Sequence, residues 1–117
     1  MANSFQTKTL KVTTSITELV PAYSAGEVVV HAIFISNVTS SDKKITMGIY
    51  DAAGSLDANR KAYLLYQTIV PPYSTLSIEK PINLDSHASD TSAQRRVMVL
   101  ADANSAIEIT ASVLVIT

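Results

Sequence analysis

From Ile107 to Thr117 the sequence alternates residue by residue. One side carries Ile107, Ile109, Ala111, Val113 and Val115, and the other starts polar with Glu108, Thr110 and Ser112 before turning apolar at Leu114 and Ile116. A period of two is that of a β-strand resting one face on a core. Because the chain closes on this segment, its last strand is expected to be integral to the fold. Its outer face becomes apolar where a free surface should be polar, which invites a partner.

Seven further segments carry the same signature, short runs of β-branched and aromatic residues separated by Gly, Pro, Asn, Asp and Ser. The full set of candidate strands is Phe5–Val12, Ser15–Val20, Val28–Asn37, Lys44–Asp51, Tyr63–Val70, Thr75–Leu84, Arg96–Ala101 and Ala106–Ile116. Their connections read as turns. Pro21-Ala-Tyr-Ser-Ala-Gly26 pairs a fixed φ with a permissive glycine, Thr39-Ser-Ser-Asp42 favours side-chain-capped turns, and Pro71-Pro72 cannot donate to a strand ladder. The expected fold is therefore all-β: a single antiparallel β-sandwich, jelly-roll or immunoglobulin-like, with about eight strands and little helix. One helical alternative stands at Ser55–Leu65, where Ala58, Ala62 and Leu65 fall at helical spacing.

The 117 residues make one domain, 1–117, and a domain of this size buries roughly two thirds of the surface of its extended chain. Val28–Ile35 is apolar on both faces, so it is expected in the middle of a sheet with its second face covered by another subunit. Asp85–Gln94 is polar throughout and predicts an exposed loop or arm, running on to Arg96. Charged residues are 16% of the chain, below the usual share of about 25%, as suits a protein partly covered by neighbours. A net charge of −1 leaves no electrostatic footprint for nucleic acid. With no cysteine, disulfides and thiolate metal sites are excluded. Met1-Ala-Asn-Ser-Phe5 lacks the features of a secretion signal and no apolar run reaches membrane-spanning length, so synthesis in the cytoplasm is expected, with no membrane partner.

Residues with chemistry are few. Asp85, His87 and Asp90 lie close together, but hard cations want more oxygen ligands and zinc more nitrogen or sulfur, so a solvated loop is the better reading and no metal or cofactor is expected. No G-x-S-x-G turn occurs, and three glycines cannot build a phosphate cradle, so no enzyme is expected. Asn37-Val38-Thr39 matches a glycosylation acceptor, although a turn leaving a strand explains it better. His31 in its apolar strand reads as a partly buried, hydrogen-bonded interface histidine rather than a pH switch. Arg95-Arg96 offers planar forks for carboxylates of a neighbouring subunit, or else a solvated pair guarding a strand edge. Tyr50, Tyr63, Tyr66 and Tyr73 fall at strand ends and turns, where their rings suit packing, an interface or a sugar face.

Three stretches give the chain a family likeness: Thr13-Thr-Ser-Ile-Thr-Glu-Leu-Val-Pro21 with Ala25-Gly26 and Val28–Asn37; Tyr63-Leu-Leu-Tyr66, Val70-Pro-Pro-Tyr-Ser-Thr-Leu-Ser-Ile78 and Pro81-Ile-Asn-Leu84; and Ala103–Thr117. Over most of its length the sequence resembles small β-sandwich structural proteins of tailed bacteriophages. Tyr23-Ser24 lengthens the first turn, and Asp85–Gln94 stands where a short acidic-glycine turn is expected. The resemblance implies a virion protein, self-associating as a homotrimer and bound to the major capsid protein or other virion proteins. A lone domain without a shaft favours capsid decoration or cement over a neck, tail or fibre-anchoring adaptor. Phe34, Tyr66, Leu114 and Ile116 are the expected inter-subunit contacts, with Arg95 and Arg96 reaching a neighbour from the arm. The rival from another class is a carbohydrate-binding module, which requires tyrosines gathered along one groove.

Overall fold

A computed structural model of the chain describes residues 3–21, 27–50, 60–84 and 95–116. These hold nine strands: β1 (Asn3–Lys11), β2 (Thr17–Val20), β3 (Glu27–Asn37), β4 (Lys43–Tyr50), β5 (Arg60–Val70), β6 (Thr75–Ile78), β7 (Ile82–Leu84), β8 (Arg96–Ala101) and β9 (Ile107–Ile116). They form two antiparallel sheets, one ordered β1-β9-β3-β6 with β7 also on β3, the other β2-β8-β4-β5. Since β6 and β7 run along the same edge of β3, one after the other, they act as one interrupted strand. Counted that way, eight strands switch between sheets in the order of a jelly roll, one of the two expected architectures.

Alternation explains which face each strand buries. In β9 the buried positions are Ile107, Ile109, Ala111, Val113 and Val115. Opposite them stand Ile35, Ile33, Val30 and Val28 of β3, and beyond those Leu76 and Ile78 of β6 and Ile82 and Leu84 of β7. From the second sheet Ile45, Met47, Val97 and Val99 close the core. Burying each such side chain contributes roughly 1.5–3 kcal/mol. The edge strand β1 carries Ser4, Gln6 and Lys8 on this face and adds only Leu10.

Three departures from the sequence reading have local causes. The expected strand Thr75–Leu84 breaks at Glu79-Lys80-Pro81, where proline has no N–H for the ladder and β3 bulges. The helical alternative over Ser55–Leu65 gives way from Arg60 onward to β5, where antiparallel pairing with β4, interrupted by bulges, runs from Arg60 to Val70. His31 is not buried. It is the extra residue between Val30, which pairs with Val113, and Ala32, which pairs with Ser112, and it stands exposed on β3.

Asn37 ends β3 inside the fold, at 2% exposure. Its Nδ2 donates to the carbonyls of Ser41 at 2.8 Å and Val70 at 2.9 Å, while its Oδ1 accepts from the Thr39 N–H at 2.9 Å and the Thr39 hydroxyl at 2.7 Å. The turn reading of Asn37-Val38-Thr39 holds. An amide committed in this way is closed to glycosylation in the folded chain.

Candidate functional site

The outward face of the first sheet is assembled from three strands whose register brings distant residues into rows. In one row Phe5 lies beside Leu114 and Leu114 beside Val29. The adjoining row is Asn3, Ile116 and Glu27. Phe5 is 77% exposed, Leu114, Ile116 and Val29 are half-buried, and the Phe5 ring stacks on His31 with centroids 6.1 Å apart. An apolar patch therefore sits at the end of the sheet formed by the start of β1 and the finish of β9. Along the same strands the rows turn polar, first Thr7, Ser112 and Ala32, then Thr9 and Thr110 with Phe34, then Lys11, Glu108 and Ser36. Phe34, 41% exposed, shares the face but sits beside Thr110, four residues along β9 from Leu114 and so roughly 14 Å away.

The remaining expected contacts lie in the second sheet. Arg96 starts β8 and its guanidinium meets the Glu18 carboxylate of β2 at 3.1 Å, so one identified partner is internal. Arg95 precedes it, half-buried. Tyr66, 57% exposed, is on the edge strand β5. The six expected contact residues thus divide between opposite sides of the sandwich. Leu114, Ile116 and Phe34 share one sheet face, whereas Tyr66 and Arg96 belong to the other sheet and Arg95 leads into it.

Tyrosines are distributed by the same logic. Tyr50 is buried, 1% exposed, whereas Tyr73 stands 74% exposed in the turn formed by Pro71–Ser74. Tyr63 and Tyr66 do come together, ring centroids 4.6 Å apart, with the Arg60 guanidinium 4.1 Å from the Tyr63 centroid and donating to its hydroxyl at 2.9 Å. Beside Tyr66 a groove of about 300 Å³ is lined by Lys44, Thr46, Gln67, Leu100 and Asp102.

Phe5 and Val29 were not among the expected contacts, although Phe5 is the one apolar residue among Asn3, Thr7, Thr9 and Lys11 on its side of β1. That signal is visible in sequence; its position beside Leu114 is not. The candidate ligands Asp85, His87 and Asp90, the loop Asp85–Gln94 and Tyr23-Ser24 lie outside the described residues. Among the described residues no group of three or more His, Cys, Asp or Glu is placed to hold a metal, and no helix is long and apolar enough to cross a membrane.

No family model matches the chain, and no curated protein does. Among solved structures, the coat protein of tobacco streak virus superimposes with a TM-score of 0.43 at 11% identity, covering 97% of this chain and 86% of that one.

Proposed function

We propose that this chain is a non-enzymatic structural protein of a virus particle, a decoration or cement protein on the capsid of a tailed bacteriophage. The observation that carries the reading is the apolar patch of Phe5, Leu114, Ile116 and Val29 on a sheet face that none of the described strands covers. Isolated exposed apolar residues are ordinary, but several in adjoining rows mark an interaction surface. The jelly-roll strand order agrees with the reading by analogy of fold, since such sandwiches recur in capsid domains. The phage likeness of the strand and turn pattern supplies the context.

In this role the protein is made in the host cytoplasm and joins the virion as a homotrimer. Each copy buries its patch against the assembly, and the loops meet the major capsid protein. Affinity comes from many weak contacts made together, which raises avidity without any covalent step.

Quantified gel bands from purified virions test the proposal. Copy numbers on the order of hundreds support decoration, whereas about a dozen or fewer move the protein to the neck or tail. Absence from virions overturns both.

A further inference from the structure

We propose that the groove beside Tyr66, on the outer side of the second sheet, is a binding site for a neutral pyranose sugar, separate from the apolar patch on the first sheet. It is lined by Tyr66, Gln67, Lys44, Asp102, Thr46 and Leu100.

Its construction begins with two irregularities in β5. Residues three apart in a regular strand point to opposite sides. Here Gly48 pairs with Tyr63, Met47 with Leu65 and Ile45 with Thr68, so β5 carries extra residues between each pair and Tyr63 and Tyr66 meet on the same side. Arg60 fixes Tyr63 through both its ring and its hydroxyl, and Tyr63 in turn holds Tyr66. The result is an exposed aromatic platform with a preset orientation, the part of a sugar site that stacks on the apolar face of the ring.

The polar side is equally specific. Gln67 sits at φ 45°, a left-handed conformation uncommon for a residue with a Cβ, held by its N–H donating to the Thr46 hydroxyl at 3.1 Å. Thr46 is buried, yet among the described residues its hydroxyl donates to no acceptor. The Asp102 Oδ1 accepts from the Lys44 N–H at 3.2 Å, which sets the carboxylate against β4 and leaves Oδ2 for a ligand. Lys44 and Gln67 line the same groove. One cation, one anion, an amide and a hydroxyl around an aromatic ring offer donors and acceptors without net charge. A polyhydroxyl ring matches that set; a phosphate or a cation would meet one of the two charges as a repulsion.

The test is an NMR titration of the ¹⁵N-labelled protein with the methyl glycosides of glucose, galactose, mannose and N-acetylglucosamine. For at least one of them the expected result is saturable, millimolar shifts at the amides of Lys44, Gln67 and Asp102. Tyr66→Ala, whose side chain is largely in solvent, should lose at least about tenfold in affinity while Tyr66→Phe keeps it. Leu114→Asp/Ile116→Asp should bind as the parent does, so failure of the capsid proposal leaves this one standing and the reverse. No saturable shift with any of the four sugars, equal shifts with glycerol, or full affinity in Tyr66→Ala overturns the site.

Discussion

The side-chain amide of Asn37, at the end of β3, donates to the backbone carbonyl of Val70, at the end of β5, at 2.9 Å. Those strands belong to different sheets, so one buried amide ties the two layers of the sandwich at their margin. Together with its bonds to Thr39 and Ser41, every polar atom of the side chain is used.

Replacing Asn37 with alanine should therefore cost about 2–4 kcal/mol, because the Val70 carbonyl and the Thr39 N–H lose their partner in a buried setting. Urea unfolding should show a lower midpoint with an unchanged slope. Asn37→Asp should be no better. It restores the acceptor but not the two donors, and it places a charge where the chain has none.

Gly48 is required by close approach. A Cβ built there falls 2.8 Å from the Ala62 carbonyl oxygen and 3.1 Å from the Tyr50 ring, and the first of these is backbone that cannot step aside. Gly48→Ala should lower stability by about 1–3 kcal/mol. Thermal unfolding by circular dichroism measures it.

Leu114→Asp/Ile116→Asp places two charges in the apolar patch that holds Phe5. The strand should persist, since both side chains point away from the core and β9 keeps its inward residues. Light scattering should then report a monomer where the parent reports a larger assembly. An intact oligomer from the double variant would remove self-association through this face.

Tyr73 holds φ 54° at the third position of the turn Pro71–Ser74, closed by the Ser74 N–H donating to the Pro71 carbonyl at 3.3 Å. Such a turn favours glycine or asparagine there. Tyr73→Asn should leave the melting temperature unchanged or raise it, by up to about 1 kcal/mol in stability, as differential scanning calorimetry would record. A clear loss of stability would show that the exposed ring packs against something.

Much of the architecture was legible in the linear order of side chains. Alternation in Ile107–Ile116 marked β9 and its buried face, because a strand's side-chain period is two whatever its neighbours. The two-sided apolar run Val28–Ile35 marked β3 as internal to a sheet, and it lies between β9 and the β6 and β7 edge. Turn chemistry at Thr39–Asp42 and Pro71–Ser74 marked where strands end.

Pairing is what the order of residues left open. Nothing local to Phe5 says that β1 lies against β9, more than a hundred positions away, yet that pairing alone sets the Phe5 ring beside Leu114. Nothing local to Tyr63 and Tyr66 says they share a side, because a regular strand would separate them and only the irregular match with β4 brings them together. Strand identity follows from the period of each segment. The surfaces that act on other molecules follow from register between segments, which is decided only when both sheets bury one core together.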